Sequence, residues 1–199
     1  MAAWGLLLAP GAGASSTHSA LVAIGLEAGR VGVAARAFDF PYRRAGRRAP
    51  DRPEVLVAAA EAEAAALAAD LGAPGDRIFA GGRSMGGRIC SMAVAGGMPA
   101  AGLVLVSYPL HPPGQPAKLR TEHFGRLALP CLFISGDRDA FGSPAELTAA
   151  MAAIPGPVTV HWEERGDHSL RGRDAVVAEV VAEWLAGLTG HRRRVRGRA

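Results

Sequence analysis

Gly82-Arg83-Ser84-Met85-Gly86 is the part of this sequence whose residue types and spacing speak most directly of chemistry. A serine hydroxyl between two glycines, after the apolar run Ile78 to Ala80 and before residues recurring at helical spacing (Ile89, Met92, Ala93), fits a sharp strand-to-helix turn. Glycines two residues either side of Ser84 would let neighbouring backbone come close. The turn would raise Ser84 Oγ above a sheet and leave the Met85 N–H at a helix N-terminus, where it could stabilise an oxyanion. A serine hydroxyl is a weak nucleophile until a base takes its proton, and the base needs an acid to fix its tautomer. The rest of the chain therefore has to supply an acid and a histidine.

Two aspartates share the turn Gly136-Asp137-Arg138-Asp139. In the common Gly-x-x-Asp form of such a turn the fourth residue is the acid, which favours Asp139 and leaves Asp137 as an acceptor for the loop. Three histidines follow. His161 falls inside an apolar strand and His191 in an arginine-rich end, whereas His168 follows Gly166-Asp167 between a strand and a helix. His168 is the preferred base. Asp167, its direct neighbour, is poorly placed to reach the ring.

These residues need elements to hold them, and the chain alternates strand and helix patterns throughout. Expected strands are Trp4–Leu8, Val31–Ala37, Ile78–Ala80, Leu103–Ser107, Leu129–Ser135 and Val158–Trp162. Between them lie a helix capped by Thr17 and closed by Gly29, and an alanine-rich helix opened by a capping-box-like pair, Asp51 and Glu54, around Pro53. Later helices follow Ser84 and Ser143, and a final one from about Asp174 should bury Val177, Val180, Val181, Trp184 and Leu188. Six strands alternating with helices predict an α/β fold, a doubly wound, mainly parallel sheet with helices on both faces. Function belongs at the strands' carboxyl ends, which Ser84, Asp139 and His168 all follow.

A length of 199 residues suits one domain, placed at 1–189, with a basic tail at 190–199. The formal charge of +4 is misleading about partners, because five arginines lie in the last nine residues and the remaining body sums to 4 − 5 = −1. Nucleic-acid and membrane binding are not expected. The loop with Arg43, Arg44, Arg47, Arg48 and Arg52 reads as solvated, with an anionic-substrate site as the less favoured alternative. Cys90 and Cys131 read as small core residues in a reducing, cytoplasmic setting. Trp4–Ala9 is too short, and has no preceding positive charge, for a secretory signal. Gly11-Ala12-Gly13 lacks the third glycine and the later acid of a dinucleotide site, and no cofactor is expected.

Residues 108 to 128 include Pro109, Pro112, Pro113 and Pro116. Such a segment should form a rigid rim rather than a helical lid, with Tyr108 or His111 near the acyl pocket.

With these stretches in view, the chain resembles the α/β-hydrolase superfamily in its dienelactone-hydrolase-like branch. It is more closely similar to bacterial relatives of the testis-expressed protein thirty and of the third regulatory subunit of the NSL histone acetyltransferase complex. The resemblance rests on Pro10 to Ala14, Phe38 to Tyr42, Gly82 to Arg88, Ser107 to Gly114, Gly136 to Asp139 and Gly166 to His168. It implies a serine hydrolase acting on an ester, thioester or related acyl bond of a small molecule. Ser84 would be nucleophile, His168 base and Asp139 its support, with the Ala12 N–H as the second oxyanion donor beside Met85. Some relatives serve as subunits of assemblies, so a catalytically silent scaffold is the alternative. Two departures stand out: the oxyanion loop begins Pro10-Gly11 where relatives usually have His-Gly, and this sequence starts almost directly on the central strand Trp4–Leu8 where relatives usually have further strands before it. The second predicts Val31–Ala37 as an outer edge, open to pairing with a second copy.

Overall fold

Every strand of the computed structural model, which describes residues 3–190, runs parallel to its neighbours in a single six-stranded sheet. The strands are β1 (Trp4–Ala9), β2 (Val33–Ala37), β3 (Ile78–Arg83), β4 (Gly102–Val106), β5 (Cys131–Gly136) and β6 (Val158–Glu163), in the order β2-β1-β3-β4-β5-β6. Parallel strands need crossovers, and α1 (Ser19–Arg30), α2 with α3 (Pro41–Arg44, Pro53–Leu71), α4 (Met85–Ala95) and α5 (Pro144–Met151) supply them, with α6 (Asp174–Thr189) closing the chain. A crossover without an α-helix links β4 to β5, where residues 107–130 hold only a 3₁₀ turn at Phe124–Arg126. The expected absence of a helical lid there agrees with this path.

Alternation along the strands builds two cores. Leu7, Ala80, Leu105 and Phe133 face α3, α4 and α5, together with Leu56, Leu67 and Ile89. Leu6, Leu8, Phe79, Val104 and Ile134 face the opposite way onto α1 and α6, against Leu21, Ile24, Val177 and Val181. Strands apolar at nearly every position are what a sheet covered on both faces requires. Each buried Leu or Phe removed from water contributes about 2 kcal/mol before entropy is charged against it.

Several local expectations need correction. Thr17 does not cap α1. Instead Nδ1 of His18 accepts the Ala20 N–H at 3.2 Å, and the helix runs one residue past Gly29 to Arg30. The capping box at α3 does not form either: Arg52 occupies the cap without a side-chain bond, and Asp51 turns back to pair with Arg47 at 2.7 Å. Pro53 at the first turn, with its fixed φ, and Gly72 in the left-handed region (φ 57°) still delimit that helix. The box at α5 does form, between Ser143 and Glu146. On α6, Leu185 is buried and Leu188 is 42% exposed. The basic tail and His191 lie outside the described residues.

β2 is the outer strand and pairs only with β1, Val33 to Ala37 against Trp4 to Leu8 with one-residue steps. The strand starts two residues later than expected because α1 is followed by a turn at Val31–Gly32.

Candidate active site

Loops after β1, β3, β5 and β6 converge at the carboxyl edge of the sheet. Chain order reverses between β1 and β3, since β1 connects outward to β2 and the chain then returns on its other side. Crevices in open α/β sheets form at such a switch point.

Ser84 stands at that crevice with φ 51° and ψ −119°, a strained conformation for a residue with a side chain. Its N–H donates to the Val106 carbonyl at 2.8 Å, which fixes the turn to β4. The flanking glycines are demanded by close approach: a Cβ on Gly82 or Gly86 would lie 2.0 or 2.1 Å from the Ala9 carbonyl oxygen. β1 therefore presses directly against the turn and forces Ser84 upward.

The acid and the histidine are brought to Ser84 by two loops that are themselves laced together. The Arg138 N–H donates to the Gly166 carbonyl at 2.8 Å and the Asp137 N–H to the Glu163 carbonyl at 3.1 Å. A Cβ on Gly136 would lie 2.1 Å from Gly166 O, so these loops touch backbone to backbone. From them, Nδ1 of His168 lies 2.8 Å from Asp139 Oδ2 and 3.0 Å from Oδ1, and Nε2 lies 2.8 Å from Ser84 Oγ. A carboxylate only accepts, so Nδ1 carries the proton and the bare Nε2 is left to accept from the serine. Asp139 is 6% exposed and its Oδ1 also takes the Phe141 N–H at 2.8 Å. Asp137 is exposed and does not join the array. Asp167 is occupied by Ser169. His161 pairs with Glu163 at 2.8 Å within β6.

Beside Ser84 opens a cavity of about 480 Å³ walled by Gly11, Ala12, Met85, Arg88, Pro109 and Phe141, among others. Ala12 and Met85 both line it, and no backbone hydrogen bond from either N–H is found among the described residues. A slightly larger hollow of about 550 Å³ lies elsewhere, along α3 and the end of α4. Its only ionisable wall is Glu61, so it offers no comparable chemistry.

Tyr108 and His111 do not line the cavity over Ser84, and the expectation for them is corrected. The chain kinks at Ser107 (φ 49°), which tucks the Tyr108 ring against Phe124 and Phe133. Its hydroxyl donates to the Arg120 carbonyl at 2.6 Å. Burial pushes that phenol well above its ordinary pKa. His111 is buried, with Nδ1 2.8 Å from the Pro112 carbonyl and Nε2 3.6 Å from Glu146. Pro109 and Arg120, from the same segment, face the cavity instead.

Four supporting contacts had no counterpart in the sequence reading. Arg83 donates from Nη2 to the His168 carbonyl at 2.8 Å, tying the serine turn to the histidine loop, and burial lowers its pKa. Phe141 stacks on the His168 ring at 4.0 Å between centroids and 28° between planes. Asp39 accepts the Ser16 N–H at 2.7 Å and the Ser16 hydroxyl at 3.1 Å, pinning the loop that carries Ala12. The Tyr42 hydroxyl accepts the Gly13 N–H at 3.4 Å. The Phe38 to Tyr42 stretch noted in the sequence is therefore a brace for that loop.

The described helices include none long and apolar enough to cross a membrane. Residues 2–184 match the family model described as alpha/beta hydrolase domain. The chain belongs to that family. Its hydrolase fold recurs in solved structures of low sequence identity. An alpha-beta serine hydrolase homologue from Coxiella burnetii is 18% identical with a TM-score of 0.75, covering 94% of this chain and 86% of that one. Est1E from Butyrivibrio proteoclasticus is 13% identical at a TM-score of 0.78, with 94% and 89% covered. A dienelactone hydrolase from Anabaena variabilis is 18% identical at a TM-score of 0.73, with 94% and 87% covered. Among the described residues of this alpha/beta hydrolase domain, β2 is the outer strand on the β1 side.

Proposed function

We propose that this chain is a serine hydrolase that cleaves an ester, thioester or related acyl bond of a small molecule. The observation that carries the reading is the unbroken line from Ser84 Oγ through the His168 ring to the buried Asp139, at a strained turn beside an open cavity. Ser84 Oγ attacks the acyl carbon while its proton passes to Nε2 of His168. The N–H groups of Ala12 and Met85 hold the oxyanion of the tetrahedral intermediate. Collapse breaks the bond to the leaving group, which takes the proton from His168, and an acyl-serine remains. Water then repeats the sequence: His168 takes its proton, the acid is released and Ser84 regains its hydrogen. Asp139 keeps the imidazole in the required tautomer throughout. These steps need no cofactor.

Within the family, the Gly82 to Arg88 and Ser107 to Gly114 stretches support a relationship to bacterial relatives of the testis-expressed protein thirty and the NSL subunit. The unpaired, buried Cys90 and Cys131, both pushed up to about 12 by burial, are inert thiols and suit a cytoplasmic protein. Pro10 is the feature that favours a silent scaffold instead. It removes one N–H from the loop but leaves that of Ala12.

A fluorophosphonate probe tests the reading directly. It is expected to attach to Ser84 of the folded protein and to nothing in Ser84→Ala. Absence of labelling, together with no turnover of short p-nitrophenyl esters, would give the scaffold reading the lead.

A further inference from the structure

Three arginines face the cavity over Ser84, namely Arg83, Arg88 and Arg120. Arg83 is committed to the His168 carbonyl. The other two are not committed to any acid. Arg88 lies one turn along α4 from the nucleophile: its N–H donates to the Ser84 carbonyl at 3.1 Å, so the two side chains share a face. Its Nε is buried without a hydrogen-bond partner, and no described carboxylate forms an ion pair with its guanidinium. Arg120 gives Nη1 to the Pro109 carbonyl at 3.3 Å and likewise has no ion pair. Burial and the neighbouring charge of Arg88 lower its pKa, as expected of two cations facing one space.

The chain neutralises arginines readily elsewhere. Arg36 pairs with Asp70, Arg44 with Glu63 and Arg47 with Asp51. Two of these, Arg44 and Arg47, belong to the arginine-rich loop whose less favoured reading was an anion site. Asp51 is the one carboxylate on the cavity wall among the described residues; its Oδ1 pairs with Arg47 at 2.7 Å, and its Oδ2 is buried without a hydrogen-bond partner. Leaving two partly buried guanidiniums together without a counter-charge is costly unless a ligand supplies it.

We propose that Arg88 and Arg120 form an anion subsite for a carboxylate carried on the acyl part of the substrate. This deepens the hydrolase reading and rests on it. The preferred substrates are then half-esters of short dicarboxylic acids, with the ester carbonyl at Ser84 and the free carboxylate against the two guanidiniums. A guanidinium fork matches the two oxygens of a carboxylate. Ser84 and Arg88 leave the helix about one turn apart, roughly 5.4 Å along its axis, so short diacids are the class to test. A carboxylate on the leaving group would offer the same chemistry from the other side of the scissile bond.

The test has two arms. In the acyl arm, p-nitrophenyl hydrogen adipate is compared with p-nitrophenyl methyl adipate. In the leaving-group arm, 4-acetoxybenzoate is compared with its methyl ester. The expected kcat/KM preference for the charged ester in the acyl arm is about tenfold or more. It should fall towards one in Arg88→Gln and Arg120→Gln, chiefly through KM, and shrink with added salt. Equal rates for charged and neutral esters would overturn the subsite, and a preference confined to the leaving-group arm would overturn its assignment to the acyl part. Calorimetric titration of Ser84→Ala with adipate asks the question without turnover. A Kd weakened about tenfold by adding Arg88→Gln is expected, and no binding, or binding indifferent to that change, would overturn the proposal. Failure of the hydrolase reading looks different: neutral esters are not turned over and Ser84 is not labelled, while adipate binding still decides the subsite.

Discussion

Asp139 and Asp137 are two residues apart, yet one is buried against His168 and the other exposed. On the proposed mechanism, Asp139→Asn should lower kcat by roughly 10⁴-fold, the scale that a wrong histidine tautomer can cost in a Ser-His-Asp triad, without unfolding the protein. Asp137→Asn should stay close to the parent. A steady-state esterase assay on both variants checks the pair, and the reverse ranking would reassign the acid. His123 makes a second residue-level prediction. Its Nε2 lies 2.7 Å from the buried Ser91 hydroxyl, and because that hydroxyl donates to the Arg88 carbonyl, Nε2–H is the donor to Ser91 Oγ. Burial, then Arg88, lowers its pKa to about 4. The unfolded chain therefore binds more protons between the ordinary histidine value near 6.5 and about 4, and the contribution of His123 to stability falls as pH drops through that window. Urea midpoints at pH 7 and pH 5 should show the loss, and His123→Asn should flatten it. An unchanged slope in the variant would remove His123 as the cause. Ser84, Asp139 and His168 were legible because each follows a strand in a recognisable turn. Asp39, Arg83 and Phe141 were not, since their partners Ser16 and His168 lie on segments that meet only in the folded molecule.

Among the elements, the strands were the easiest to read, because residues apolar on both faces leave few other assignments. Helix starts were harder. The sequence favours Thr17 and Asp51 as caps on type alone, whereas His18 and Arg52 take those positions because the preceding loops are held by Asp39 and by the Arg47–Asp51 pair. The crossover from β4 to β5 has a functional consequence as an element. Its prolines and single 3₁₀ turn leave the cavity over Ser84 without a helical cover. Rates on p-nitrophenyl esters should therefore favour short acyl chains and show no rise when detergent passes its micelle threshold. A preference for long chains with a jump at that threshold would mean that some segment does close over the site.

For the whole molecule, β2 is the edge strand on the β1 side of the sheet, and the other edge, β6, is likewise exposed over Val158 to Val160. Arg36, paired with Asp70, places charge on β2, while Ala34 and Ala35 are exposed beside it. Strand edges of this kind pair with one another. Self-association through Val33–Ala37, or poor solubility, is the expected behaviour in light scattering at rising concentration, and Ala35→Lys should reduce it. A monomer at every concentration, with strong hydrogen-exchange protection across β2, would count against it. The place of Val31–Ala37 at an outer edge followed from the sequence once Trp4–Leu8 was taken as a central strand, and the rest of the order comes from the structure. Which helices share a face did not, because α1 and α6 meet over Leu21, Ile24, Val177 and Val181, more than a hundred residues apart along the chain.

That late closure bears on how the protein is made. Ser84 and His168 are separated by 84 positions. At about 5–20 residues per second on the ribosome, the nucleophile is synthesised roughly 4 to 17 s before its base. On the proposed mechanism the nascent polypeptide carries an inert alcohol for that interval, and β6 must dock before acyl chemistry can begin. A product cut short by stalled translation, or clipped in its last third, would then be silent towards cellular esters, giving quality control by simple incompleteness.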